Sequence, residues 1–186
     1  SAITVTLVDV SIKNAPMQLS RTGYAGAGYT HQGWLTEDQH YFLHDDELDE
    51  VNFGSFTRTY VWDMSNLEAP DFIGHFTSSR PAFDHNLYIR DNHAFESNYR
   101  AGLRILRLDD PANIEFTEIA YFDIYPPDDE PAFNGTWNNY PFFASGTVLV
   151  SGIEQGLYVL RPNLAGPEQT PTSVVTPSRT PTRTST

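Results

Sequence analysis

Apolar side chains recur at every second position in short runs through the first 163 residues. Tyr60, Trp62 and Met64 share one face of such a run, and Leu103, Ile105 and Arg107 share a face of another. A period of two belongs to a β-strand, whose successive side chains point to opposite faces. Contiguous apolar runs such as Thr147-Val148-Leu149-Val150 fit strands buried between stacked sheets. Turn-forming residues punctuate the runs at Arg90-Asp91-Asn92, Ala144-Ser145-Gly146 and Glu154-Gln155-Gly156. No stretch carries a long helical period. The pattern predicts a nearly all-β region over 1–163, with no helix longer than three turns.

The runs also repeat. Leu7-Val8-Asp9-Val10-Ser11 matches Val61-Trp62-Asp63-Met64-Ser65 in type, and each is followed at the same distance by Ala-Pro. Gly102-Leu103-Arg104-Ile105-Leu106 and Gly156-Leu157-Tyr158-Val159-Leu160 are further copies. Thr30-His31-Gln32 and Asp84-His85-Asn86 open equivalent strands; the two histidines lie 54 positions apart, as do Pro16 and Pro70. A period near fifty filled with short β-runs suits a four-stranded antiparallel propeller blade. On that period residues 3–22 supply the last two strands of a blade, 29–77 and 83–123 a full blade each, and 134–160 three strands. Three to four blades make a partial β-propeller, because a ring closes with about four or more complete ones. Completion is expected from an N-terminal propeller segment of a longer or cleaved protein. The alternative is further copies of this chain, which would form a filament if head-to-tail contacts did not close.

Composition narrows the functional classes. The net charge of −13, from 24 acidic and 11 basic residues, speaks against nucleic acid and against anionic lipid. No cysteine is present, so disulfides, thiolate chemistry and cysteine-ligated zinc are excluded. No segment approaches the ~20 apolar residues of a membrane helix. The chain opens on Ser1 rather than Met, which reads as a processed or trimmed product. Residues 164–186 are dominated by Thr, Ser and Pro and read as an extended linker or an O-glycosylated stalk.

The segments 29–50, 59–74, 84–106 and 135–162 resemble the LVIVD-repeat β-propeller proteins, also called the choice-of-anchor B family. The resemblance covers nearly all of 1–162. It implies a secreted propeller with additional N-terminal blades, joined to a surface-anchoring tail. It implies no defined activity.

Two places could carry chemistry. His31 and His85, at the starts of innermost strands, would face the central channel and could hold a transition metal such as copper, zinc or iron, with Asp84 or Glu96 orienting a ligand. The commoner role of such histidines is to cap a strand or bond a neighbouring blade's backbone. Asp45, Asp46, Glu47 and Asp49, in the densest acidic run, could bind calcium through oxygen, although a solvated acidic loop is the more usual origin of such a run. Asp128-Asp129-Glu130 is a second acidic cluster. His40 and His44 lack the glutamate of a metalloprotease motif and lie on a strand, too far apart for one ion. There is no G-x-S-x-G, and Gly26-Ala27-Gly28 is not a nucleotide-binding loop. Channel carboxylates of a glycosidase are not visible in sequence. Asn134-Gly135-Thr136 is a formal glycosylation sequon and equally a turn. The leading expectation is a non-enzymatic binding or structural module at the cell surface. A metal-dependent enzyme with a histidine-lined channel is the alternative.

Overall fold

A computed structural model describes residues 3–164. Those residues form thirteen strands in four antiparallel sheets. Strands β1 (Thr4–Asp9) and β2 (Met17–Gly23) make a two-stranded sheet. Strands β3 (Thr30–Leu35), β4 (Tyr41–Asp46), β5 (Arg58–Asp63) and β6 (Asp71–Thr77) make the first full blade. The second is β7 (Asn86–Arg90), β8 (His93–Ser97), β9 (Leu103–Asp110) and β10 (Glu115–Phe122). The last sheet has three strands, β11 (Thr136–Tyr140), β12 (Val148–Gly152) and β13 (Gly156–Leu160). Every strand pairs with its neighbour in sequence, the meander of a propeller blade. The strand count expected from the repeat is therefore the one observed. Among the described residues, helix is confined to α1 (Asp49–Phe53) and a 3-10 turn at Pro111–Asn113.

The expected turns have clear causes. Asp91 and Asn92 both take positive φ in the β7–β8 hairpin, a conformation that Asn and Asp tolerate better than most residues. Gly146 and Gly156 sit at φ +74° and +81° in the turns flanking β12.

Alternation along the strands sends side chains to two different blade interfaces. On β5, Trp62 packs with Met64 and Val5 against β1–β2, whereas Val61 joins Leu43, Leu87, Ile89, Leu106 and Leu108 between the two full blades. On β9, Leu106 and Leu108 face that second cluster, whereas Leu103 and Ile105 join Phe95, Val148 and Val150 of the last sheet. A central strand thus buries both faces, which is why its apolar pattern is continuous. Leu164 packs against the last cluster; residues 165–186, where the linker or stalk is expected, lie outside the described residues.

The innermost strands β3, β7 and β11 lie side by side. The β3–β4 register breaks between Thr30 and Gly33, so His31 and Gln32 sit on a bulge. Bulges re-aim side chains, and this one is held against the next blade, where Gln32 Oε1 accepts a hydrogen bond from Leu87 N at 2.7 Å. Gly33 allows the close approach, since a Cβ there would meet the Leu43 carbonyl oxygen at 2.5 Å.

One expectation is corrected. The acidic run is not a solvated loop: Asp45 and Asp46 end β4, Asp49 and Glu50 open α1, and all four are buried. The end of β4 meets the next blade through Asp46 N and Asp84 Oδ2, and Asp49 at the start of α1 is held by Tyr60 of its own blade.

Candidate functional site

The bulge on β3 and the entry to β7 bring His31 and His85 face to face. Their rings stack with centroids 4.5 Å apart and planes inclined by 29°. Glu47, immediately after β4, reaches between them: Oε2 lies 3.5 Å from His31 Nδ1, and Oε1 lies 3.7 Å from His85 Nε2. One ligand atom from each residue falls within 4.8 Å of the others, spacing that a single metal ion can bridge. Glu47 is carried there by the hairpin itself, because its N–H donates to the Tyr29 carbonyl at 3.1 Å.

The surroundings fix the ligands. His85 Nδ1 lies 2.5 Å from the Trp137 carbonyl oxygen of β11. That contact requires a proton on Nδ1, so the neutral ring presents its Nε2 lone pair toward Glu47. Burial lowers the His85 pKa and favours this neutral, ligating form. Tyr99 donates its hydroxyl to Glu47 Oε1 at 2.5 Å. Burial and that bond push the Tyr99 pKa up, so the phenol stays a donor. Tyr29 stacks on His31, and Trp137 packs on His85 with centroids 4.2 Å apart. His31 is the solvent-facing member and His85 the buried one.

Of the residues singled out in sequence, His31 and His85 are brought together. His85 also bonds the neighbouring blade's backbone, the structural role that repeat histidines commonly have, but through the nitrogen that is not needed for a metal. Asp84 and Glu96 do not orient the histidines. Asp84 Oδ2 accepts from Asp46 N at 3.3 Å, and its acidic neighbours are Glu50, Asp45 and Asp49. Glu96 accepts from Thr59 Oγ1 at 2.7 Å and Asn98 Nδ2 at 3.2 Å. The orienting partners are instead the Trp137 carbonyl and Tyr99. Sequence reasoning placed Glu47 with the acidic run; the hairpin pairing of its segment with Tyr29–His31 was the signal that could have moved it. Where β3 opens Thr30-His31-Gln32, β11 opens Thr136-Trp137-Asn138, so the third blade supplies an aromatic wall and a carbonyl rather than a third imidazole.

A second set of groups lies behind the histidines. Asp45, Asp49, Glu50 and Asp84 are all at most 3% exposed. Burial drives the pKa of Asp45 and of Asp84 well up, raises Asp49, and lifts Glu50 to about 10. Asp46 is different: it accepts from Tyr24 Oη at 2.5 Å, from Gly28 N and from Tyr29 N. It anchors the loop that leads into β3. His40 and His44 do not form a pair site. His44 is buried, stacked 5.1 Å from Tyr60, with its pKa lowered to about 4 by burial, whereas His40 is exposed. Asp128 and Asp129 are paired with Arg100 and Arg80, each at 2.7 Å. Asn134 Nδ2 donates to Glu154 Oε1 at 2.6 Å, and Gly135 takes φ +84°, the turn form of that tripeptide. No described helix is long and apolar enough to cross a membrane.

No family model matches the chain, and no curated protein sequence matches it. Solved structures do. A periplasmic gluconolactonase of Pseudomonas aeruginosa, PpgL, aligns at TM-score 0.65 and 14% identity over 87% of this chain and 47% of its own. A protein from Lactobacillus plantarum aligns at TM-score 0.61 and 15% identity over 84% of this chain and 50% of its own. The chain therefore spans about half the length of each. Both likenesses support the β-propeller architecture.

Proposed function

We propose that the chain is a metal-binding part of an exported β-propeller, acting as a binding or structural module outside the cytoplasm. The observation that carries this is the convergence of His31, Glu47 and His85, with His85 held in its ligating tautomer by the Trp137 carbonyl. Two imidazoles and one carboxylate suit zinc, copper or iron. Such an ion would tie β3 of one blade to the entry of β7 in the next and so stiffen the inner ring. His31 is the exposed member of the set, so a partner's side chain or a small ligand could reach an ion held there.

Elemental analysis of the purified full chain after exposure to zinc tests the site. About one zinc per chain is expected, and His85→Ala should lose it. Tyr99→Phe, which removes only the donor to Glu47, should weaken binding by about 10–100-fold. Wild-type protein without bound metal, or His85→Ala protein with unchanged metal, would refute the assignment. The exposure of His31 also favours a second reading, a metal-dependent enzyme. It requires turnover that zinc restores to the stripped protein.

The resemblance to LVIVD-repeat proteins supports a surface location, further N-terminal blades, and residues 164–186 as a spacer or glycan-bearing stalk before an anchor. Completion of the ring is supported by apolar side chains left exposed at both ends of the stack: Val8, Val10 and Ile12 at and after β1, Leu157 and Val159 on β13. An N-terminal segment is the favoured occupant, and copies of the chain are the alternative. The mass of the native particle separates them.

A further inference from the structure

The innermost strands repeat a second chemical position. Trp34, Tyr88 and Tyr140 lie three residues after His31, His85 and Trp137 on β3, β7 and β11. Phe142, just after β11, joins them: its ring centroid is 5.6 Å from Trp34, 5.9 Å from Tyr88 and 5.5 Å from Tyr140. Trp34 also meets Tyr88 at 5.1 Å, and Phe143 meets Tyr140 at 5.1 Å. The rings form one continuous aromatic strip across three blades. Trp34 is 40% exposed, Tyr140 47% and Phe143 42%, and an exposed apolar patch bordered by polar groups marks a binding surface. The strip is held in place. The Arg90 guanidinium donates to the Pro141 and Phe143 carbonyls and so fastens the segment bearing Phe142 to β7. Glu37, which follows β3, accepts from Asp91 N at 3.0 Å. Innermost strands border the central opening of a propeller, so further blades would lengthen the strip and leave its middle, at Tyr88 and Phe142, beside that opening.

We infer that this strip is a saccharide-binding site, built for a neutral glycan and separate from the histidine centre. Three observations select that ligand. The repeated position holds Trp and Tyr, rings with an apolar body and a polar tip. Among the described residues, no protein hydrogen bond takes up Trp34 Nε1, Tyr88 Oη or Tyr140 Oη. A cleft of about 520 Å³ beside Trp34 and Phe142 carries Thr36, Glu37 and Gln39 on its wall, a size and a mixture of aromatic and polar lining that suit a small ligand. The rings can stack on the C–H face of a pyranose, while the Glu37 carboxylate accepts from its hydroxyls and the Gln39 amide donates and accepts. Charge decides the class of sugar. Glu37 lines the cleft, Asp38 follows it, Asp91 is bonded to it, and all three are exposed. Arg90 is already engaged by Asp91 and the two carbonyls. An acidic glycan would meet like charge there, and a neutral one would not.

Calorimetric titration of neutral hexasaccharides into the zinc-stripped full chain tests this, with cellohexaose, maltohexaose, laminarihexaose, mannohexaose, xylohexaose and chitohexaose as the probes. At least one should bind saturably, and with the same affinity once zinc is restored, which separates this site from the histidine centre. Trp34→Ala should weaken that binding by about tenfold or more. Tyr140→Phe, which keeps the ring and removes only the hydroxyl, should weaken it by about 2–10-fold. Polygalacturonate, an acidic glycan, should bind more weakly than the best neutral probe. No saturable heat from any of the probes up to about 10 mM, a concentration that would reveal even millimolar affinity, would overturn the inference, and that result does not depend on any variant folding. So would probe binding that neither Trp34→Ala nor Tyr140→Phe changes. A synthetic proline-rich peptide spanning residues 164–186 that binds more tightly than every hexasaccharide would overturn it too, and would make the strip a peptide groove.

Discussion

Asp46→Ala is expected to cost on the order of 3–5 kcal/mol of stability, from roughly 1–3 kcal/mol for each buried donor left unpaired. Asp46 is fully buried and accepts from Tyr24 Oη, Gly28 N and Tyr29 N. Tyr24 keeps a second partner in Thr30 Oγ1 at 2.7 Å, whereas Gly28 N and Tyr29 N lose the carboxyl that accepts from them. The loop is packed tightly onto the carboxyl: a Cβ on Gly28 would stand 2.9 Å from Asp46 Oδ1 and 2.9 Å from Asn52 Nδ2. The loop runs directly into Thr30 and His31, so its release should also misplace His31 and weaken metal binding. Denaturant unfolding and a zinc titration of the same variant check both effects. Asp46→Asn, which keeps an acceptor, should fall between the wild type and Asp46→Ala. A stability loss below about 1 kcal/mol, the size of one ordinary hydrogen bond, would show that the carboxyl does not hold the loop.

Trp62→Ala should cost about 3–5 kcal/mol, the range for deleting a fully buried aromatic side chain. Trp62 is 0% exposed and packs on Val5, Met64, Tyr24 and Phe72, with ring centroids 5.7 Å and 5.2 Å away for the two aromatics. This cluster is what fastens the two-stranded β1–β2 sheet to the first full blade. A two-stranded sheet is not stable alone in water, so the loss should be local as well as global. Hydrogen exchange should show protection disappearing first over residues 4–23 while β7–β9 keep theirs. Trp62 Nε1 has no acceptor. Trp62→Phe removes that orphan donor along with some volume, and should cost much less than Trp62→Ala. Equal protection loss across all four sheets would mean that the blades unfold as one unit and that this interface has no separate stability.

The architecture was legible because a propeller is written in local signals. Alternation marked the strands, Asp-Asn and Gly-bearing turns marked the hairpins, and the 54-residue interval between His31 and His85 marked the blade. A repeat also maps geometry: that the two histidine rings meet came from the structure, but their places on adjacent innermost strands followed from spacing alone. The third member of the site did not. Glu47 sits in a run of acids that, read as a string, belongs in water, and its partner Tyr99 and the Trp137 carbonyl come from 52 and 90 positions further along.

What the sequence by itself determined is the element order, the strand count and the equivalent places of the two histidines, because these depend on period and on neighbours in the chain. What only the tertiary structure decided is which polar groups are buried and what each of them faces. The fate of Asp45, Asp46, Glu47, Asp49 and Glu50 was set when the end of β4 met Asp84 and Tyr99 of the next blade and α1 closed over Tyr60 of its own. Burial and charge environment are sums over contacts between blades, and the residues that supply those contacts leave no mark within the acidic run itself.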